Sequence, residues 1–394
     1  MPRVLIFKET LLPLSETFIL AQMNALATFT PQFVGLERIR PSLPLIGEPL
    51  VLSGRPSRLA SIRSKVYRRT GIAPIFHRKA KGRRPDLLHA HFASGGQSAL
   101  PLARSLNVPL IVTLHGSDVT ARKSKKGAYK RLGEEAAVFL CVSKFIRNRA
   151  IDAGFPQEKL LSHYIGVDCS QFIPADENHM SDVVLFVGRL VEKKGCEFLL
   201  RAMEYVQRVR PASELVIIGD GPLRPSLEAM AERLKVRCQF QGMQPSNVIR
   251  KALGEARVFC LPSVTAANGD SEGLPTVLAE AQAMGVPVVS TDHAGIPEII
   301  SHEVSGLLTP ERDHKALSLA LCRVLEDCEL WRRFHLNASK QMRENFNLMT
   351  QTEKLERIYE DVLSGSAFSR VNRAVELSES LPDTEFAGEE RAVL

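Results

Sequence analysis

The chain predicts an α/β protein of two parallel-sheet domains, on three observations. Its 394 residues exceed the usual size of one compact core. Short apolar, β-branched-rich runs alternate with longer stretches of helical spacing, the pattern of parallel α/β layers. Each half also opens on a strand-like run, so two separate domains are expected, joined near Pro174.

In the first half, residues 1–175, the strand candidates are Arg3–Phe7, Leu87–Phe92, Leu110–Leu114 and Val138–Val142. In the second, residues 176–345, they are Val183–Val187, Leu215–Ile218, Val258–Leu261 and Val286–Val289. Between them Phe198, Leu199, Ala202, Met203 and Val206 keep helical spacing, as do Val277, Leu278 and Ala281. The polar stretch Asp176–Ser181 reads as a linker. Residues 346–364 read as one helix with Leu355, Ile358, Tyr359 and Val362 apolar, returning across the domain junction. Residues 365–394, rich in Ser, Glu and Ala without a sustained period, read as a loosely ordered tail.

Hydrophobic residues make up 44% and charged residues 24%, ordinary values for a soluble globular protein. The N-terminal run meets Lys8 and Glu9 too soon for a signal-peptide core. The longest uncharged run, Leu87–Ala103, is interrupted by His, Gly, Ser and Gln, so no membrane span is expected and the protein reads as cytoplasmic. The seven cysteines are scattered without a Cys-x-x-Cys pair, which indicates neither a disulfide framework nor a zinc site; Cys141 and Cys260 read as small buried hydrophobes.

Charge is unevenly divided. Residues 1–175 hold 26 Lys and Arg against 11 Asp and Glu, a net +15, and the remainder is −8. The basic residues are densest over Arg55–Arg84 and Arg122–Arg131. Such a field favours a polyanion or an anionic membrane surface, with a solvated basic face as the plainer alternative. Nucleic acid is not expected as a partner, because aromatic residues are only 6% and do not interleave with the basic cluster.

Three loops carry candidate chemistry. Gly188-Arg189-Leu190-Val191-Glu192-Lys193-Lys194-Gly195 follows a strand directly, at the sheet edge where such folds bind ligands. Arg189 can grip a phosphate bidentately and Lys194 supplies a point charge, although a solvated basic turn has the same composition. Gly219-Asp220-Gly221-Pro222 permits a tight turn and close backbone approach. The third segment runs from Asn268 through Glu272-Gly273-Leu274-Pro275-Thr276 to Glu280. Pro275 fits the first turn of a helix and Gly285 its C-terminal stop, so Glu272 falls on the preceding loop and Glu280 within the helix. Eight residues of helix rise span about 12 Å, which lets the two carboxylates address opposite ends of an extended ligand. Exposed amides from Gly273 to Thr276 and the helix dipole favour a diphosphate between a sugar and a ribose. Two solvated surface carboxylates remain the alternative.

Taken together, Glu272-x7-Glu280, the Gly188–Gly195 loop, Gly219–Pro222 and Val286-Pro287-Val288-Val289-Ser290 resemble the donor half of retaining family 4 glycosyltransferases in order and spacing. Asp292-His293-Ala294-Gly295-Ile296-Pro297-Glu298 and Gly306-Leu307-Leu308 extend the likeness. In the first half His115-Gly116-Ser117-Asp118, Ser143-x3-Arg147 and Gly166-Val167-Asp168-x3-Phe172 do the same, so it covers residues 1–360 or so. Ser15-Glu16-Thr17-Phe18-Ile19, His89-Ala90-His91-Phe92 and Asn268–Pro275 further resemble the branch that builds bacterial exopolysaccharides of the colanic-acid type.

The resemblance implies a GT-B fold, two facing Rossmann-like domains with an interdomain cleft. It implies that Arg189 and Lys194 bind the donor diphosphate, Glu280 the ribose, and Glu272 and His115 the transferred sugar. It further implies that a nucleotide-diphosphate sugar is a substrate rather than a cofactor. The expected acceptor is a glycan or a polyprenyl-diphosphate-linked glycan, the latter placing the basic half against an anionic inner-membrane surface. The loop after the first strand lacks the family's glycine pair; Ser15 fits a helix N-cap there, whose amides would serve instead. With Glu272 on sugar hydroxyls no carboxylate is left as nucleophile, so front-face displacement with retention is expected rather than double displacement. No Asp-x-Asp occurs, Asp270-x-Glu272 being the nearest substitute, and cationic side chains can neutralise the diphosphate, so no metal is expected. His89 and His91 have metal-compatible spacing but no accompanying cluster; the reading is a strand-end pair with one ring inward and one outward, His91 lining the cleft. Competing readings are a non-catalytic polyanion- or membrane-binding protein, a nucleotide-sugar epimerase and a phosphorylase.

Overall fold

The computed structural model describes residues 1–13, 16–39, 42–45, 47–53, 57–121, 127–174 and 181–365. Ser15, the linker region 175–180 and the segment 366–394 lie outside the described residues.

Thirteen strands form two sheets among the described residues. The first contains β1 (Arg3–Leu11), β2 (Thr30–Arg38), β3 (Leu50–Ser53), β4 (Leu87–His91), β5 (Leu110–Leu114), β6 (Val138–Cys141) and β7 (Leu160–Ser162). Its order is β3-β2-β1-β4-β5-β6-β7, every pair parallel. The second contains β8 (Val183–Val187), β9 (Glu214–Ile218), β10 (Cys238–Phe240), β11 (Val258–Leu261), β12 (Val288–Thr291) and β13 (Gly306–Thr309). Its order is β10-β9-β8-β11-β12-β13, again all parallel.

Helices cover both faces, so the central strands are buried throughout: Leu110–Leu114 and Val258–Leu261 have no exposed residue. Such strands read as continuous apolar runs, which is why they are legible in sequence. The strands that the apolar runs do not reveal are β2, β3, β7, β10 and β13. Most are short or lie at sheet edges, and β2 begins on Thr-Pro-Gln and carries Gly35 in its middle. Strand β12 begins two residues later than its apolar run, because Pro287 has no N–H to give the ladder; its carbonyl instead accepts from Phe259.

The helix Leu348–Ser364 lies against the first sheet, on the far side of the chain from its own sequence neighbours. It buries Leu355, Ile358 and Tyr359 with Val4, Ile6 and Leu140, each such side chain contributing about 1.5–3 kcal/mol. One Glu356 oxygen accepts the N–H groups of Ala27, Thr28 and Phe29 at 2.9, 2.6 and 3.1 Å. The crossing point is Val167, which bridges to Asn347; a Cβ on Gly166 would come within 2.4 Å of the Leu348 Cα, so only glycine lets the chain return there. All seven cysteines are free, and no described helix is long and apolar enough to cross a membrane.

Candidate active site

Each sheet reverses its chain order at one point, between β1 and β4 in the first and between β8 and β11 in the second. Loops leaving the strands diverge there and open a crevice at the carboxyl ends. The two crevices meet. A Cβ on Gly273 would lie 2.0 Å from the His115 carbonyl oxygen, and Ser271 donates its N–H to Thr120 Oγ1 at 3.2 Å across the domains.

The second-domain wall is built of charges. Gly188 follows β8 and donates to the Ile218 carbonyl, while Leu190 donates to that of Asp220, both at 2.9 Å. Gly219, at φ +135°, packs so closely that a Cβ would lie 1.9 Å from Gly188 O; its glycine is what lets the two loops brace each other. Arg189 stands exposed with no partner among the described residues. Lys194 ends a short turn before the helix Cys196–Val209, and its Nζ lies 2.9 Å from Glu272 Oε1. Lys193 pairs with Asp270 at 3.2 Å. Glu272 is buried; burial raises its carboxyl, but Lys194 and Lys193 more than offset this and hold it below the usual range. The Glu272 N–H donates to His293 Nε2 at 3.3 Å, and His293 Nδ1 faces Glu311 Oε1 at 2.6 Å, which fixes the proton on Nδ1.

The helix Thr276–Ala283 starts beside this pair, with Leu274 and Pro275 buried at its approach. The N–H groups of Thr276 and Val277 find no acceptor among the described residues. Glu280 lies one turn further on, half-buried, and its carboxylate likewise has no partner among them. Burial alone pushes it up to about 7. Among the described residues the site thus holds free amides, one free guanidinium, two lysine–carboxylate pairs and the unpaired Glu280 carboxyl.

The first-domain wall is built of rings. His115 packs against Phe92 and Phe18, with centroids at 4.5 and 5.3 Å, and its ring nitrogen Nε2 lies 3.0 Å from His91 Nδ1. Burial, with Lys8 and His89 nearby, keeps His115 well below its ordinary value and therefore neutral. Asp118 holds the loop by accepting the N–H of His115 at 2.8 Å and of Ala93 at 3.0 Å; burial raises its carboxyl to about 6.

The expectation that His89 and His91 point opposite ways is overturned. Residues two apart on a strand share a face, and the two rings stack at 4.5 Å, both buried. His89 is tied into the core by Tyr359 Oη at 2.6 Å and Thr113 Oγ1 at 2.7 Å. His91 stands behind His115 rather than on the open cleft. No cluster of three or more potential metal ligands occurs among the described residues. The helix for which Ser15 is the expected cap runs Thr17–Asn24, with Glu16 in the capping position.

The sequence assigns no structural role to Lys8, Glu16 and Glu298, although Glu16 and Glu298 fall within motifs that carry the resemblance. Lys8 leaves the apolar run of β1 and is buried at its carboxyl end, 2.8 Å from Glu16 and 3.9 Å from the Phe92 ring centre. Its signal was a charge directly following four apolar residues, with Glu9 next to it. Glu298 reaches across the domains to accept the N–H groups of Lys144 and Phe145 at 2.7 and 2.9 Å and the Tyr164 hydroxyl at 3.0 Å. It thereby caps the helix Lys144–Asp152, which Ser143 also caps from within the first domain.

With this geometry in hand, comparison with known proteins is direct. A model of glycosyltransferase family 4 matches residues 29–171, and one of glycosyl transferases group 1 matches residues 181–327. AmsK of Erwinia amylovora, an amylovoran biosynthesis glycosyltransferase, is 37% identical over 249 residues, 61% of each chain. WcaL of Escherichia coli, named for colanic acid biosynthesis, is 35% identical over 248 residues, 60% of this chain and 61% of that one. The chain therefore matches less than two thirds of the length of these two relatives. TuaC of Bacillus subtilis, named for teichuronic acid biosynthesis, is 32% identical over 288 residues, 68% of both chains. The crystal structure of HepE from Anabaena in complex with UDP and glucose superposes with a TM-score of 0.73 at 17% identity, over 92% of this chain and 100% of that one. Both halves match the same kind of protein in sequence and share its two-domain frame, so the chain belongs to glycosyltransferase family 4 and has the GT-B fold.

Proposed function

We propose that the protein is a retaining glycosyltransferase that moves a sugar from a nucleotide-diphosphate donor to a glycan or polyprenyl-diphosphate-linked acceptor, in the synthesis of an exopolysaccharide or other surface polysaccharide. The observation that carries this is the arrangement around the Thr276–Ala283 helix. Arg189 and the free amides of Thr276 and Val277 suit a diphosphate, with the Lys194–Glu272 pair on one side and the unpaired Glu280 on the other. The names of AmsK and WcaL support the polysaccharide assignment.

In this reading Glu280 accepts ribose hydroxyls. Glu272 and the neutral ring of His115 address the transferred sugar, so Lys194 exchanges Glu272 for phosphate oxygens when the donor enters. The acceptor hydroxyl attacks the anomeric carbon from the face that the diphosphate leaves, the sugar–phosphate bond breaks, and a departing phosphate oxygen takes the acceptor's proton. Arg189, Lys194 and the helix amides stabilise the charge that grows on the leaving group. With the charge met by side chains, the reaction requires neither metal nor cofactor. An epimerase would act on the donor alone and a phosphorylase would need inorganic phosphate, so omitting the acceptor or adding phosphate separates these readings.

The test is a calorimetric titration with UDP, GDP and ADP, without metal and then with Mg²⁺, on the protein and on Lys194→Ala. One nucleotide should bind without metal and lose affinity in the variant; no binding of any of the three overturns the donor site.

A further inference from the structure

The His89-Ala90-His91 run of β4 has no part in the transfer reaction described above, yet it stands directly behind the ring set against the sugar. Strands β4 and β5 pair in parallel, with His89 opposite Ile111 and His91 opposite Thr113. The residue two beyond each partner lies on the same face of the sheet. One step of 24 residues therefore brings His89 Nε2 to Thr113 Oγ1 at 2.7 Å and His91 Nδ1 to His115 Nε2 at 3.0 Å. The three rings form a stack from core to cleft. His89 and His91 lie 4.5 Å apart at 26°, and His91 and His115 lie 5.3 Å apart at 25°.

Burial decides which way the proton between His91 and His115 points. Both rings are neutral: burial, His89, His115 and Lys8 hold His91 well below its ordinary value, as burial, Lys8 and His89 do for His115. A neutral imidazole has an N–H on one nitrogen and a lone pair on the other. In one arrangement His91 Nδ1–H donates to His115 Nε2, and the His115 proton sits on Nδ1. In the reverse, His115 Nε2–H donates to His91 Nδ1, and the His91 proton sits on Nε2. That Nε2 is enclosed and has no partner among the described residues, and the stack on His89 keeps the ring from turning to find one. The first arrangement leaves only a lone pair unmet there, whereas the second strands a buried N–H, the rarer and costlier orphan.

We infer that His91 is a positioning residue that donates from Nδ1 to His115 Nε2, fixes the His115 proton on Nδ1, and so gives the cleft a hydrogen-bond donor that cannot accept. His115 Nδ1, turned away from His91, has no partner among the described residues. The ring is clamped between Phe92 and Phe18, and Asp118 holds its backbone N–H. The chemistry of the sugar follows from this. Glu272 takes hydroxyl protons, while His115 gives one, so the sugar must present it an oxygen, of a hydroxyl or a carboxylate, and not an ammonium. Nor can His115 take the acceptor's proton through Nδ1, which leaves that proton to the departing phosphate. The sugar contact rests on the donor-site reading; the place of the proton does not.

The test is ¹⁵N–¹H correlation spectroscopy of the full chain labelled on histidine, at neutral pH and without ligand. Signals are assigned by their loss in His91→Phe and His115→Phe. Both rings should carry the proton on Nδ1, and a proton on Nε2 of either overturns the inference. His91→Phe keeps a stacked ring but removes the donor, so His115 should become a mixture of two tautomers. His91→Asn, whose side-chain NH₂ takes the place of Nδ1, should keep the proton where it was. Calorimetry then compares UDP-glucose, GDP-mannose and ADP-glucose, each with its own nucleoside diphosphate. For the pair that binds, the affinity ratio of sugar nucleotide to diphosphate should fall about ten-fold in His91→Phe, the scale of one hydrogen bond, and recover in His91→Asn. His115→Phe should lower the ratio as far, and adding His91→Phe should lower it no further. Affinity for the diphosphate alone should hold throughout, which also verifies the fold. An unchanged ratio in His91→Phe overturns the inference, as does an equal loss for the diphosphate alone, the mark of a purely structural role. If no nucleotide binds, the donor site falls, and the spectrum still decides where the proton sits.

Discussion

The two walls of the cleft occupy equivalent places in two similar sheets, yet their chemistry is opposite. The first domain is the basic one, at +15, but its wall presents Phe18, Phe92 and a neutral His115, and its densest run of exposed cations lies elsewhere, over Arg58–Lys81. The chain beyond residue 175 is net acidic, at −8, yet the second domain within it holds Arg189, Lys193 and Lys194 on the cleft wall. Net charge therefore says which face of a domain meets an anionic partner only once the fold has sorted the charges. Topology supplies the crevice, and the residues at the strand ends decide what it binds.

The sharpest way to break this two-walled arrangement is to hold the walls apart. In Gly273→Ala the new Cβ would meet the His115 carbonyl at 2.0 Å and Val142 at 3.0 Å, neither of which yields cheaply. Transfer should fall about 100-fold or more, the scale of a roughly 1 Å misplacement between reacting groups. Binding of the nucleotide alone should change far less, because the nucleotide contacts proposed above all lie in the second domain. Equal losses in both measurements would mean that the walls do not act together.

A second substitution tests whether the charged wall is a unit. Lys194→Ala leaves Glu272 buried without its main cation and should destabilise the protein by about 3 kcal/mol in urea unfolding. Adding Glu272→Ala should recover part of that loss, since no buried charge then remains. Additive losses would show that the pair is not coupled.

The smallest effect is a titration, and it separates Glu280 from its neighbours. The unfolded carboxyl ionises near 4.5 and the folded one near 7, so folding favours the protonated form. The resulting destabilisation is absent below the unfolded value, grows between about pH 4.5 and 7, and is complete above the folded value, reaching about 3 kcal/mol. Glu280→Gln should flatten stability over that window. Nucleotide affinity should rise with pH from 6 to 8 in the parent, as the carboxylate forms to accept ribose hydroxyls, and stay level in the variant. His115 should contribute no step across that range, because it is neutral throughout.

Much of the fold was legible because buried parallel strands are continuous apolar runs: Leu110–Leu114, Val183–Val187 and Val258–Leu261 have the same limits in the sequence reading and in the structure. The edge strands were not, since β3, β7 and β10 have three or four residues each, too few to show a period, and β10 has no buried residue. The candidate site was legible where spacing along one segment carries it, as in Glu272-x7-Glu280, and where glycines mark close approach, as in Gly188 and Gly219.

The sequence by itself determined the class of fold, the order of its loops and the residue types at the strand ends, because these follow from local pattern. Only the tertiary structure decided which groups are paired and which are free. That Lys194 holds Glu272 while Arg189 and Glu280 stand alone depends on loops up to ninety residues apart meeting at one switch point. Likewise, His91 stands behind His115, and Glu298 caps a helix 154 residues away in the other domain. Burial and pairing are properties of what surrounds a side chain, and a linear pattern specifies neither until the two sheets face each other.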